Sequence, residues 1–191
     1  TGLQLKQSKM GQVGLGAAGS AIARLALAYG VGQVLVTDRS PEAMAPLIEA
    51  GAVASDLDSI LREADVVVCT TGKVGLIKPE QVRPGQVIFA LSNPYPEIDP
   101  DVARAAGAAY AADGASINNA LAFPGIFKGA LLTRSRTIAP QMFVAAAEAI
   151  ARCAPEGEVV PSQLDPGVHN AVCEAVAQCA RELGLENTAV L

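Results

Sequence analysis

Three glycines near the start of the chain, Gly14, Gly16 and Gly19, have the spacing Gly-x-Gly-x-x-Gly. This spacing permits a tight turn, a close approach of the backbone to a pyrophosphate, and close packing of the helix that follows. Asp38 lies 19 residues after Gly19, at the end of the next strand-like segment. A carboxylate there accepts hydrogen bonds from an adenosine ribose. The pattern therefore predicts a dinucleotide site, in preference to a turn of small residues that only packs a helix on a sheet.

The same carboxylate bears on the type of dinucleotide. Asp38 would repel a 2′-phosphate, so we expect NAD to be bound in preference to NADP. Arg39 follows immediately and could reach a phosphate, which keeps NADP as the alternative.

An amide side chain stands at the end of a later strand-like segment, in FALSNPYPEIDP, residues 89–100. Ligands of doubly wound sheets bind beyond the carboxyl ends of the strands, which is where Asn93 is expected. Its amide offers a donor and an acceptor to a substrate carboxylate or to a nicotinamide ribose. The local alternative is an Asx turn before Pro94.

Two further amides, Asn118 and Asn119, precede an apolar helix in SINNALAFPGIFKGAL, residues 116–131. One of them can serve as the helix N-cap. Two adjacent amides followed by Phe-Pro-Gly exceed what a cap needs, so this segment is a second candidate for ligand binding.

The elements that would position these residues alternate between strand-like and helix-like patterns. Strands are predicted to end at 13–15 and to span 33–38, 65–70, 86–92 and 108–112, with helices at 19–29, 41–50, 55–63 and 100–106 and a helical turn at 78–82. Later segments predict an interrupted helix at 119–133 and long helices at 139–153 and 169–183. The pattern predicts an α/β fold: a doubly wound parallel sheet of the Rossmann type with extra C-terminal helices, in a single domain of residues 1–191.

Composition narrows the class of protein. Of 191 residues, 51% are hydrophobic and 17% are charged, which suits a folded domain with a sizeable core. The net charge of −5 and the scattered basic residues argue against a nucleic-acid partner. Apolar runs are too short for a membrane span, and the first residues do not form a signal peptide. Four cysteines without a C-x-x-C pair indicate incidental thiols, so a cytoplasmic location is expected.

The chain contains four motifs that occur in this order: GLGAAGSAIA, TDR, IFALSNPYPEI and NNALAFPGIFKGAL. Through these motifs it resembles the NAD-binding domain of malic enzymes, especially the bacterial type. The last two motifs are far more specific than the glycine loop, and the resemblance covers nearly the whole chain. Malic enzymes oxidatively decarboxylate L-malate to pyruvate and CO2 with NAD(P) and Mg²⁺ or Mn²⁺. The segment between Asp38 and Asp65 and the loop at 114–118 are shorter than is usual for that family.

The resemblance also implies roles for individual residues. Gly14, Gly16, Ala18 and Asp38 would hold the cofactor, beside the Gly19 and Arg39 noted above. The adenosine and nicotinamide-ribose side of the cofactor would be lined by Thr70, Thr71 and Gly72. Asn93 and Asn119 would contact malate, with Asn93 also near the nicotinamide ribose and Asn118 close beside them.

The chemistry of malate oxidation needs more than these residues offer. Hydride removal requires a base for the hydroxyl proton, and decarboxylation requires a Lewis acid. The single histidine, His169, is expected to be a surface or capping residue. Asp56 and Asp58 form an exposed pair, and Glu97 and Asp99 sit in a proline-bounded turn where a solvated or capping role is expected. We therefore expect no catalytic residue and no metal ligand in this chain.

In malic enzymes the Tyr, the Lys base and the acidic metal ligands precede the glycine loop. The resemblance thus implies that the chain is the C-terminal part of a longer, homo-oligomeric enzyme whose upstream domain carries the catalytic groups. Alone, the chain is expected to bind NAD and to turn over no malate. Three alternatives to a malic enzyme remain: a malolactic-type enzyme, another dehydrogenase of the amino-acid or methylene-folate type, and a non-catalytic NAD-binding regulatory module. The NNALAFPG motif argues against the other dehydrogenases.

Overall fold

A sheet of six parallel strands occupies the first part of the chain in the computed structural model. The structure describes residues 1–117, 119–156, 158–162 and 165–187. The strands are β1 (Lys9–Val13), β2 (Gln33–Thr37), β3 (Val53–Ala54), β4 (Val66–Cys69), β5 (Val87–Ala90) and β6 (Tyr110–Asp113). Their order in the sheet is β3-β2-β1-β4-β5-β6, which is the order of two mononucleotide-binding halves that meet between β1 and β4. The predicted fold class is confirmed.

The helices between these strands begin where the sequence supplies caps. They are α1 (Ala17–Tyr29), α2 (Pro41–Glu49), α3 (Leu57–Glu63) and α4 (Pro100–Ala105). The Ser40 hydroxyl accepts a hydrogen bond from the backbone of α2, and Asp56 and Asp99 cap α3 and α4 in the same way. Because a side-chain acceptor satisfies an otherwise unpaired N–H group, each cap sets the first residue of its helix.

Both faces of the sheet are covered, as a parallel sheet requires. All four residues of β4 are buried, with Val67 and Cys69 in one hydrophobic cluster and Val66 and Val68 in another. Strand β3 was not predicted, because its two residues are exposed and carry no alternating pattern.

The chain divides into two compact units, residues 1–117 and 118–191. The second unit contains α5 (Phe123–Leu132), α6 (Pro140–Cys153) and α7 (Pro166–Glu182). Pro124 was predicted to interrupt a helix, but it lies in the first turn of α5, where a missing N–H group costs nothing. A Cβ atom on Gly129 of α5 would lie 2.6 Å from the backbone oxygen of Cys173, so this glycine permits the close approach of α7.

Helix α7 begins three residues earlier than the sequence pattern predicted, because Asp165 caps it and Pro166 occupies its first turn. Within the described ranges, no helix is long and apolar enough to cross a membrane.

Candidate cofactor-binding site

The three glycines occupy three different environments. Gly14, directly after β1, has a φ of +86°, and a Cβ atom there would lie 2.8 Å from the Thr70 carbonyl oxygen. A Cβ atom on Gly19 would lie 1.9 Å from the carbonyl oxygen of Gly14. A Cβ atom on Gly16 would meet no atom within 4 Å. The first glycine therefore makes the turn, the third permits helix packing, and the second leaves space in front of α1.

That space adjoins the start of α1, where Gly16, Ala17 and Ala18 are exposed. The first N–H groups of a helix have no partner within the helix, and the helix dipole places partial positive charge there. Such a start binds phosphate groups through backbone N–H donors. The open position at Gly16 is thus a cradle that a side chain would fill, and it fits the pyrophosphate of a dinucleotide.

Asp38, which follows β2, is joined to the glycine loop. Its Oδ2 accepts a hydrogen bond of 2.6 Å from the backbone N–H of Leu15, and its Oδ1 accepts one of 2.9 Å from Ser40. The backbone N–H groups of Ser40 and Leu15 hold the pKa of Asp38 below its usual value of 3.8. The side chain is therefore ionised at neutral pH, and a carboxylate has further lone pairs for ribose hydroxyl groups. Arg39 is exposed.

Thr70 supports the loop from the neighbouring strand. Its hydroxyl donates a 2.9 Å hydrogen bond to the Gly14 carbonyl oxygen and accepts one of 3.0 Å from Gln12 Nε2. Gln12 is fully buried, and its amide also donates to Gly14 O. Gln12 was not among the predicted site residues, although a glutamine at the otherwise apolar end of a buried strand is a usable signal. The Thr70 hydroxyl therefore shapes the glycine turn.

The loops after β4 and β5 meet at a buried carboxylate, Glu97. Its Oε1 accepts hydrogen bonds from the Thr71 backbone (2.7 Å), the Thr71 hydroxyl (2.8 Å) and the Ser92 hydroxyl (2.5 Å). The Ser92 hydroxyl in turn accepts from the backbone N–H of Gly72 at 2.8 Å. The expectation that Glu97 is solvated or a cap was wrong, because the chain after β5 turns this side chain beneath both loops, where none of it is exposed.

Asn93 stands at the carboxyl end of β5 with an exposed side chain. The structure gives no Asx turn here, since the Asn93 amide makes no hydrogen bond among the described residues. A Cβ atom on Gly114, which follows β6, would lie 2.9 Å from Asn93 Nδ2. The amide of Asn93 therefore lies against the backbone after β6 and remains available to a ligand.

The first unit brings most of the predicted residues to one edge of the sheet. Gly14, Asp38, Thr70 and Asn93 follow the carboxyl ends of β1, β2, β4 and β5, and these ends of parallel strands share an edge. Of the amides predicted in the second unit, Asn118 lies outside the described residues. Asn119 begins a 3-10 turn, Asn119–Leu121, and its side chain also lies outside the described part.

Metal-ligating side chains do not cluster in the part of the chain that the structure describes: no group of three or more His, Cys, Asp or Glu residues could hold an ion. His169 lies half-buried in α7.

Comparison with known proteins identifies the family. The family model described as "Malic enzyme, NAD binding domain" matches residues 102–186, and the one described as "D-isomer specific 2-hydroxyacid dehydrogenase, NAD binding domain" matches residues 1–74. NAD-dependent malic enzyme 1 of Bacillus subtilis (strain 168) is 56% identical over 180 residues, which cover 94% of this chain and 41% of that protein. The chain belongs to the malic enzyme NAD-binding domain family.

Two other comparisons agree with the malic enzyme assignment. The bifunctional malic/malolactic enzyme of Bacillus subtilis (strain 168) is 35% identical over 216 residues, which cover 100% of this chain and 53% of that protein. The crystal structure of malic enzyme from Pyrococcus horikoshii Ot3 has a TM-score of 0.85 and 33% identity, covering 99% of this chain and 51% of that one. The chain thus spans about half the length, or less, of these malic enzymes.

The two family models match different parts of the chain. Many dehydrogenases share a strand-helix-strand unit with a glycine loop, which agrees with the match of residues 1–74 to the 2-hydroxyacid dehydrogenase model. Residues 102–186, which include the predicted Asn119 and the helices after it, match the malic enzyme model. This match decides against the other dehydrogenases considered from the sequence.

Proposed function

We propose that this chain is the cofactor-binding part of an enzyme that oxidatively decarboxylates L-malate to pyruvate and CO2 with NAD. The observation that carries the proposal is the 56% identity, over 94% of this chain, with a protein named as an NAD-dependent malic enzyme. The open cradle at Gly16 beside the ionised Asp38 supports the binding of a dinucleotide.

The adenosine half of NAD would be held by the first half of the sheet. Gly14 shapes the turn, Gly16 and Ala18 offer the exposed start of α1 to the pyrophosphate, and Gly19 keeps α1 close to β1. Asp38 would accept hydrogen bonds from the ribose hydroxyl groups. When bound, NAD supplies the acceptor for the hydride of malate.

The preference for NAD over NADP is part of the proposal. The ionised Asp38 would repel a 2′-phosphate, while the exposed Arg39 beside it could attract one. Relatives with both preferences exist, since one of them is named the NADP-dependent malic enzyme of Rhizobium meliloti (strain 1021). Direct measurement of both affinities is therefore needed.

The nicotinamide half and malate would lie at the other half of the edge. We place Thr70, Thr71, Gly72 and Asn93 beside the nicotinamide ribose. Asn93 and Asn119 would hold malate, with Asn118 close to them, as the resemblance to malic enzymes implies. The exposed amide of Asn93, which has no hydrogen bond to another described residue, supports this role.

The proton-accepting base and the ligands of Mg²⁺ or Mn²⁺ would come from a further, catalytic domain. This proposal agrees with the fact that the chain covers only 41% of malic enzyme 1 of Bacillus subtilis. We further propose a homo-oligomeric enzyme of the cytoplasm, as for the family that the sequence resembles.

A malolactic activity, which releases lactate, is the second candidate. The 35% identity to a protein named as a bifunctional malic/malolactic enzyme supports this candidate. A non-catalytic NAD-binding regulatory module is the third candidate. Because all three candidates would bind NAD, NAD binding alone does not distinguish the module from the two enzymes.

Two assays test these proposals. The 191-residue chain should bind NAD in a calorimetric titration and form no NADH from malate, NAD and Mn²⁺; robust turnover would contradict the assignment of catalysis to another domain. The full-length protein from the parent reading frame should form pyruvate and NADH. Formation of lactate would instead support the malolactic alternative, and absence of both products would support the regulatory module.

A further inference from the structure

The loops that follow β4 and β5 are bound to each other through one side chain. Glu97 receives its hydrogen bonds from Thr71 of the first loop and Ser92 of the second. The backbones pair as well: Gly75 N–H donates to Pro96 O at 3.4 Å, and Ile77 N–H donates to Glu97 O at 3.1 Å. The two loops therefore behave as one assembly with the carboxylate at its centre.

The environment of Glu97 suits a side chain that only accepts hydrogen bonds. Glu97 is completely buried, and its side-chain oxygens accept from four donors: the N–H and hydroxyl of Thr71 and the N–H and hydroxyl of Ser92. None of the ion pairs among the described residues involves Glu97. A buried carboxylate is costly unless it is hydrogen-bonded, so these four donors hold it in place.

The contacts of Glu97 are confined to one half of the sheet edge. In doubly wound sheets the β1–β3 half holds the adenosine side of a dinucleotide and the β4–β6 half holds the nicotinamide side. The adenosine side is organised by separate contacts, those of Asp38 with Leu15 and of Thr70 with Gly14. Among the described residues, the Glu97 side chain makes no hydrogen bond to Asp38 or to the glycine loop.

We propose that Glu97 is a positioning residue that sets the separation of the Thr71–Gly72 and Ser92–Asn93 backbones, and thereby the seat of the nicotinamide ribose. This inference rests on the proposed function, because it requires a dinucleotide at this edge. The Ser92 hydroxyl is the relay: it donates to Glu97 and accepts from Gly72 N–H, so the position of Gly72 depends on both side chains.

The test compares two ligands that share the adenosine and pyrophosphate groups, NADH and ADP. Glu97→Gln keeps the volume of the side chain, but its NH₂ group must take the place of Oε1, where three donors converge, or of Oε2, where it would face the Ser92 N–H. We expect Glu97→Gln to weaken NADH binding about tenfold and ADP binding less than about twofold. Calorimetric titrations of the 191-residue chain measure both affinities.

The matched control is Glu49→Gln, the same chemical change at an exposed position at the end of α2, outside both loops, which should alter neither affinity. Circular dichroism and thermal melts establish that each variant is folded. If Glu97→Gln does not fold, Ser92→Ala removes the relay hydroxyl and should show the same selective loss of NADH affinity.

The possible outcomes separate the two proposals. Equal weakening of NADH and ADP binding by these variants, or no weakening of NADH binding, would overturn the role of Glu97. Failure of the unaltered chain to bind either ligand would instead refute the proposed function.

Discussion

The backbone N–H of Leu15 donates a 2.6 Å hydrogen bond to Asp38 Oδ2. This contact joins the glycine loop after β1 to the end of β2, so that the proposed pyrophosphate cradle and the proposed ribose acceptor form one unit. Asp38 therefore stabilises the loop and, in the proposed complex, would present negative charge to the ribose.

The charge of Asp38 should determine the choice between NAD and NADP. Replacing it by Asn removes the repulsion of a 2′-phosphate and weakens the acceptor for the ribose hydroxyls. We expect Asp38→Asn to lower the ratio of NAD to NADP affinity about tenfold or more, measured by calorimetric titration of both cofactors. Arg39→Gln is the control for the neighbouring charge and should leave NAD affinity unchanged. An unchanged ratio in Asp38→Asn would contradict the role of the carboxylate.

The same hydrogen bonds predict a pH dependence of stability. Because the folded pKa of Asp38 is lower than its usual value of 3.8, its ionised form stabilises the fold at every pH above that value. This contribution is lost as the pH falls through the lower, folded pKa. Urea unfolding at a series of pH values should therefore show the wild-type chain more stable than Asp38→Asn at neutral pH, with the difference vanishing under strongly acidic conditions. A difference that grew with acidity would refute this assignment.

The cysteines should differ in reactivity. Cys69, at the end of β4, is completely buried, and burial followed by the charge of Glu97 raises the pKa of its thiol. Since the thiolate is the reactive form, N-ethylmaleimide should label the half-buried Cys153 in the native chain and Cys69 only after unfolding. Mass spectrometry of the labelled peptides checks the order. Labelling of native Cys69 at the rate of Cys153 would contradict its burial.

Much of this architecture follows from local signals. Strand-helix alternation, the caps Ser40 and Asp99, and the glycine spacing act within a few residues, so they can be recognised in the sequence. Strand β3 escaped prediction because Val53 and Ala54 are exposed and too few to show a pattern.

The candidate site was predictable only where its residues belong to a motif. The glycine loop, Asp38 and Asn93 all lie at the predicted edge of the sheet. Glu97 was misjudged because its partner Thr71 lies 26 residues away in sequence, so only the pairing of β4 with β5 brings the two together. The partner of Gln12, Thr70, is likewise remote, 58 residues away, so the strand pattern marks Gln12 as unusual without showing what it contacts.

Gly16→Ala tests whether the open space at Gly16 is a pyrophosphate cradle. The new Cβ atom would meet no protein atom within 4 Å, so the melting temperature should stay unchanged, while the methyl group enters the space assigned to the ligand. Gly19→Ala is the contrasting variant, because its Cβ atom would lie 1.9 Å from Gly14 O and should destabilise the fold by about 1–3 kcal/mol or more.

The decisive measurement is the affinity of folded Gly16→Ala for NADH by calorimetric titration. We predict a loss of about tenfold or more at an unchanged melting temperature, since the backbone can no longer approach the pyrophosphate. Binding of NADH by Gly16→Ala as tightly as by the unaltered chain would rule out a pyrophosphate cradle at Gly16.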